Sequence, residues 1–279
     1  NILLLDWLLE HSAHGLDVTD ESFYLVWIAN PFIYDGSITQ FGFIYHPFYR
    51  LLDGDVTALR QANILITFTL AWGLAYCFLC SLAGGLYGSR ITLFVVSASL
   101  ATSAFIVFDS WLVTPSYNSL NFQGLLVTGG GLVLADKTTE RKSIFGWILI
   151  GVGGWLTFMA KPSTAVALAF GVYIYSLISR KYSHRMLALA AISALILLSA
   201  SALLIDGSLL GFIDRIRLGF EFTKFLEGGH TVGKILRVDD FLGHTYESLM
   251  QTELATAKKN SALAFRQPKN LLSENSTTA

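Results

Sequence analysis

The sequence predicts an all-α protein, a polytopic transmembrane helix bundle with interfacial helices in its first outer loop. Three observations carry that expectation. Hydrophobic residues make up 53% of the 279 and charged residues only 14%, against roughly 25% charged in soluble domains. Apolar runs recur at lengths near the ~20 residues that cross a hydrocarbon core, and mean hydropathy is +0.54. The few charges collect in the short links between those runs. A net charge of −1 gives no electrostatic case for nucleic acid. No glycine-rich loop follows a strand pattern, so Rossmann or P-loop nucleotide binding has no support.

Taken in order, residues 1–9 are apolar but too short to span. They lack the basic start and small-residue cleavage site of a signal peptide, and read as a truncated first transmembrane helix of a fragment. The stretch 15–24 places Asp17, Asp20 and Glu21 within five positions of a chain that otherwise avoids charge. Residues 21–30 read as a short helix stopped by Pro31, and Asp35-Gly36-Ser37 as a turn. Residues 41–52 gather Phe41, Phe43, Tyr45, Phe48 and Tyr49 around His46, Pro47 and Arg50. That composition suits a segment lying in the membrane interface, and makes about 10–57 the first outer loop. Full or near-full spans are expected at 58–83, 91–108, 120–135, 144–160, 164–178 and 186–205.

Gly129, Gly130 and Gly131 read as a close helix contact. Cys77 and Cys80 share one helix face as small hydrophobes, since a redox or zinc motif needs exposure or further ligands. Residues 209–226 mix apolar and charged positions as an amphipathic surface helix does. From about 252 the chain becomes a polar tail, expected to be poorly ordered. The organisation is thus a transmembrane module at 1–205 and an extracytoplasmic amphipathic segment with its tail at 206–279.

The Lys/Arg bias of short links sets orientation. Arg90, the Lys137/Arg141/Lys142 link and the Arg180/Lys181/Arg185 link alternate correctly to share a cytoplasmic face. The other face then collects the acidic stretch, the 109–118 link, Lys161 and the chain after Asp206. Charge held at the mouth of apolar helices is expensive, which makes it a functional candidate.

Asp20 is the candidate catalytic base and Glu21 its neighbour, orienting it or touching substrate; Asp20 with Thr19 could equally cap the following helix. Lys161, between two apolar runs, could pair with a lipid phosphate or simply snorkel to water. Arg60 carries the same two readings, and His46 and Arg50 are further phosphate candidates. Asp109 and Asn118 flank a proline turn. Either could bond to sugar hydroxyls or serve turn chemistry, and Asp109 could join Asp20 around a divalent cation. Tyr24, Tyr45 and Tyr117 could stack on a sugar, as could any interfacial tyrosine.

Asp20-Glu21-Ser22-Phe23-Tyr24 resembles the Asp-Glu motif in the first outer loop of GT-C superfamily glycosyltransferases, a group that includes protein O-mannosyltransferases and lipid A aminoarabinose transferases. His46-Pro47-Phe48-Tyr49 and the stretch from Gly54 to Leu59-Arg60 look like that family's Pro-Leu-Tyr and Gly…Arg-Leu stretches. Thr114-Pro115-Ser116-Tyr117-Asn118 and Lys161-Pro162 have counterparts by place and type. The resemblance covers about 17–205. It implies an inverting transferase of the bacterial inner membrane that takes a sugar from a polyprenyl-phosphate donor, outside the cytoplasmic face, to a glycan, lipid or protein acceptor. By that analogy Asp20 is the base with Glu21 beside it, and Lys161 contacts the donor phosphate. Where relatives often have an acid in the third link, this chain offers Asp109 and then Asn118, which puts metal use in doubt. A transporter or flippase is the alternative function, but such proteins place charge or broken helices near the midplane, whereas these charges lie at span ends. A non-catalytic scaffold is compatible with the same fold.

Overall fold

In the computed structural model, residues 2–15, 20–33, 35–82, 89–110 and 112–225 are described, and they contain helices and no strand. Residues 1–225 form one compact unit; the expected polar tail lies outside the described residues.

Helix α1 (Ile2–His11) precedes the acidic stretch. Helix α2 (Glu21–Ala29) ends before Pro31, as expected. Helix α3 (Phe41–Leu51) is fully helical despite Pro47 in its interior. Helix α4 (Val56–Leu82) starts where the Asp55 side chain accepts from the backbone N–H groups of Thr57 and Ala58, an N-cap that satisfies two orphan donors.

The expected span at 91–108 is instead broken. Helix α5 (Arg90–Ala101) gives way to a 3-10 stretch (Thr102–Ile106) and a single turn, α6 (Val107–Ser110). The physical reason lies in its hydroxyls. Thr102 donates to the Ser99 carbonyl and Ser103 to the Leu100 carbonyl, local bonds that compete with the regular helical ladder.

Helix α7 (Tyr117–Leu134) also departs from expectation, by starting three residues early. Ser116 and Ser119 cap each other's backbone N–H groups reciprocally, so Tyr117 and Asn118 form the first helical turn rather than a link. Helices α8 (Arg141–Ala160), α9 (Pro162–Ile178), α10 (His184–Asp206) and α11 (Leu209–Phe225) complete the order. Among the described residues three helices, α4, α8 and α10, are long and apolar enough to cross a membrane; α9 and the broken Arg90–Ile106 segment are apolar but shorter. Helix α7 has the length but carries Asn118, Asn121 and Gln123, and is not among the three.

Helices α7 and α8 make the closest pair, along a seam of small residues. A Cβ on Gly153 would strike the Thr128 hydroxyl and the Gly124 carbonyl, and one on Gly131 would meet the Gly146 carbonyl and the Ile150 backbone. Of the three adjacent glycines only Gly131 lies on this seam. Gly129 faces the Leu74 side chain and a Cβ on Gly130 would meet nothing, because successive helical residues point about 100° apart. Helix α10 packs on the other side of α8, where Gly151 lies against the Ala190 carbonyl and Ser193.

Two polar ends result. At one, the Lys181 ammonium donates to the Leu132 carbonyl near the end of α7, where a cation opposes the negative end of the helix dipole. Trp147 and Ser143 hold the Asp136 carbonyl there. At the other end, α2 and α3 pack on the mouths of α4, α7 and α8 through Tyr24, Trp27, Ile28, Phe41 and Tyr45, joined by Leu59, Leu120 and Met159. The Gln40 N–H donates to the Met159 carbonyl at 2.7 Å, pinning α3 to the C-terminus of α8. Helix α11 crosses this end too. Its Gly219 abuts the Ser37–Ile38 backbone, and its Arg215 bridges Asp206 at 2.7 Å and Asp35 at 3.1 Å.

Candidate functional site

The two adjacent acids at the start of α2 have opposite environments. Asp20 occupies the N-cap position, yet its side chain caps nothing and stays exposed. Its carboxylate instead makes a long contact, 3.5 Å, with the Tyr24 hydroxyl one turn on. Glu21 is 2% exposed. Its carboxylate accepts from the Arg60 guanidinium at 2.9 Å through Nε and 2.6 Å through Nη2, and from the Thr114 hydroxyl. Glu21, expected to orient Asp20 or touch substrate, faces inward and ties the start of α2 to Arg60 and Thr114.

Arg60 is likewise not an open phosphate contact. It is buried on α4 and donates through Nη1 to the Ser12 carbonyl, through Nη2 to the Gly15 carbonyl, and through Nε to Thr114 as well as Glu21. One guanidinium thus ties the end of α1, the acidic stretch, α2 and the link before α7. Desolvating such a pair is costly, and the extra acceptors around the guanidinium are what make it tolerable.

Lys161 sits where α8 ends and α9 begins. Its ammonium donates to Asn118 Oδ1 at 2.7 Å and lies 4.7 Å from the centroid of the Tyr117 ring. Among the described residues it has no carboxylate partner. Burial pushes its pKa below the usual lysine range, because a low-dielectric setting disfavours the charged form. The Tyr117 ring meets Tyr24 edge-on at 5.7 Å. Burial, followed by the neighbouring Tyr117 hydroxyl and the Asp20 charge, raises the Tyr24 phenol well above its ordinary value, so Tyr24 stays a neutral donor. Asp20, Tyr24, Tyr117, Lys161 and Asn118 therefore form one continuous cluster: an exposed carboxylate at one edge, a half-buried cation at the other, and two aromatic rings between.

His46 is not brought into this cluster. Its Nδ1 lies 2.8 Å from the Ile28 carbonyl, eight residues along α2 from Asp20 and hence about 12 Å along the axis at 1.5 Å per residue. The Asp109 side chain and Asp17 lie outside the described residues. Among the described residues no three His, Cys, Asp or Glu side chains come close enough to hold a metal ion. With the Glu21 carboxylate turned to Arg60, the adjacent acids do not form a two-carboxylate cradle. The expected pairing of Asp20 with Asp109 around a divalent cation rests on a side chain outside the described residues.

The sequence reading missed the polar seam that anchors α3. The buried Tyr45 hydroxyl donates to Gln123 Oε1 at 3.0 Å, and Gln123 Nε2 donates to Asn63 and Thr67 on α4. Its signal was available, since Asn63/Thr67 and Ser119/Gln123 recur at i, i+4 inside apolar helices and so share faces. Thr114 was missed as the third member of the Glu21–Arg60 clasp, because nothing local distinguishes it from turn chemistry. No protein-family model, curated protein or solved structure matches the chain.

Proposed function

We propose that the chain is an inverting glycosyltransferase that moves a sugar from a polyprenyl-phosphate donor to an acceptor hydroxyl at the outer surface of a membrane, as the GT-C resemblance implies. A half-buried lysine whose partners among the described residues are neutral, one aromatic pair away from an exposed carboxylate, is the observation that carries this reading. A cation in that setting is underpaired, and a ligand phosphate supplies the missing charge. In the reaction, Asp20 accepts the acceptor's proton as its oxygen bonds to the anomeric carbon. The bond from that carbon to the phosphate oxygen breaks on the opposite face, which inverts the configuration. The electron pair leaves on the lipid phosphate, and Lys161 offsets the charge that develops there. Tyr24 orients the Asp20 carboxylate, and the Tyr117 ring with Asn118 holds the ammonium in place. The multi-pass arrangement with α2 and α3 in the interface belongs to this proposal, as does the extracytoplasmic side of the site.

The test reconstitutes the protein with a polyprenyl-phosphate hexose or pentose and follows sugar release. Asp20→Asn is expected to slow transfer about 10²–10⁴-fold, the usual contribution of a positioned base. Undiminished release from that variant sinks the assignment, and lipid movement without release favours a transporter. Cysteine labelling beside Asp20 and Lys161 is expected to report the same outer side of the membrane.

A further inference from the structure

A cavity of ≈ 570 Å³ opens at the far end of α2 from Asp20, between the turn after α2 and the outer face of α3. Asn30, Phe32 and Ile33 line one wall, and His46, Tyr49 and Arg50 the other. His46 and Arg50 stand at i, i+4 and therefore on one face of the helix. The carbonyl of Ile28 can only accept, so the 2.8 Å contact places a hydrogen on His46 Nδ1. That leaves Nε2 as the outward atom, and a neutral imidazole presents an acceptor there. Arg50 is exposed and has neither an ion pair nor a side-chain hydrogen bond among the described residues. Of the acids that follow, Asp55 is engaged in capping α4 and Asp53 is turned out in an exposed left-handed turn with φ 51°. The site thus combines a fork of charged donors with a neighbouring acceptor.

Its rim is apolar where a site for a soluble anion has no need to be. Phe32, which is 59% exposed, and Ile33, 60% exposed, form it. Large apolar side chains around a basic group are the pattern of a surface that sits at a lipid headgroup layer. A planar guanidinium matches phosphate oxygens two at a time, while His46 Nε2 accepts from a headgroup hydroxyl. We propose that this cavity binds the phosphate of an anionic lipid whose headgroup carries hydroxyls, with the acyl chains lying against Phe32 and Ile33. Such a lipid holds α3 at the membrane surface, and the site is separate from the Asp20–Lys161 cluster and independent of the transferase reading.

The experiment uses the full chain in detergent and an acyl-labelled phosphatidylglycerol, read by fluorescence anisotropy. Arg50→Gln is expected to weaken binding about tenfold, the loss of one charge-assisted phosphate contact, with Arg50→Lys retaining part of it. Because Arg50 is exposed, neither variant endangers the fold. His46→Phe is expected to erase the preference for phosphatidylglycerol over phosphatidic acid, which has no headgroup hydroxyl. Unlabelled phosphatidylcholine should compete poorly. Competition by glycerol phosphate or inorganic phosphate at the same concentrations as the lipid keeps the phosphate site and assigns it a soluble ligand. Unchanged affinity in Arg50→Gln, or equal competition by phosphatidylcholine, overturns the proposal.

Discussion

Two buried or half-buried cations at the same end of the molecule behave in opposite ways. Arg60 is surrounded by acceptors from four segments, one of them the buried carboxylate of Glu21. Among the described residues Lys161 has an amide oxygen and an aromatic ring, and no carboxylate. The first is a charge satisfied within the chain, and its purpose is architectural. The second has only neutral partners among the described residues, and its proposed purpose is to meet a ligand phosphate. Residue type does not separate them, since both read as basic residues at helix mouths; only the company each keeps does.

The largest expected effect tests the architectural half. Arg60→Met strands the Glu21 carboxylate in the interior and is expected to cost about 3–5 kcal/mol, seen as a large drop in the thermal unfolding midpoint by circular dichroism in detergent. Combining it with Glu21→Leu should recover much of that loss, because a buried pair is replaced by apolar volume. If Arg60→Met alone is tolerated, the clasp is not what holds the end together.

Next in size are the glycines. Gly153→Ala is expected to destabilise by about 1–3 kcal/mol through overpacking, since its new methyl has no room against Thr128. Gly130→Ala, facing open space, should be neutral or gain up to about 1 kcal/mol in helix propensity. Equal effects at the two positions would remove the α7–α8 seam as a determinant of packing.

The smallest effect on stability, and the sharpest contrast with Arg60, is expected at Lys161. Burial lowers its native pKa, so just below the usual lysine range the unfolded chain binds more protons than the native one. Stability therefore rises with pH through that window toward the ordinary value near ~10.4. At neutral pH Lys161→Met removes the cost of a buried charge but leaves Asn118 Oδ1 without its donor, a loss of about 1–3 kcal/mol. The two oppose, and the net change should stay within about 1 kcal/mol. The variant should also lose the rise in stability expected just below the usual lysine range. A drop as large as that of Arg60→Met would mean Lys161 is architectural as well.

Length, apolarity and punctuation made most of the helices legible. Pro31 ends α2, Lys161-Pro162 divides α8 from α9, and the run at 209–226 became α11 within a residue. The misplaced elements were those where side-chain hydroxyls override hydrophobic pattern: the break after Ala101 and the early start of α7 at the Ser116–Ser119 cap. For the site, the sequence singled out Asp20, Tyr24, Tyr117, Asn118 and Lys161 one at a time, from charge or type at a helix mouth. It treated Asp20 and Glu21 as a pair.

What the sequence by itself determined is that this chain is helical, apolar along several helices and polar at their ends, because hydrophobic length and turn chemistry are local properties. Only the tertiary structure decided which polar groups are free. Adjacent residues on a helix point about 100° apart, so Asp20 faced outward while Glu21 turned into the protein. The partners of Glu21, Arg60 and Thr114, come from segments whose meeting is a matter of packing, whereas Tyr24, beside Asp20, lies one turn along the same helix. The cost of an unpaired charge in a low-dielectric interior then separates Arg60, held by acceptors from four segments, from Lys161, which among the described residues has only neutral partners.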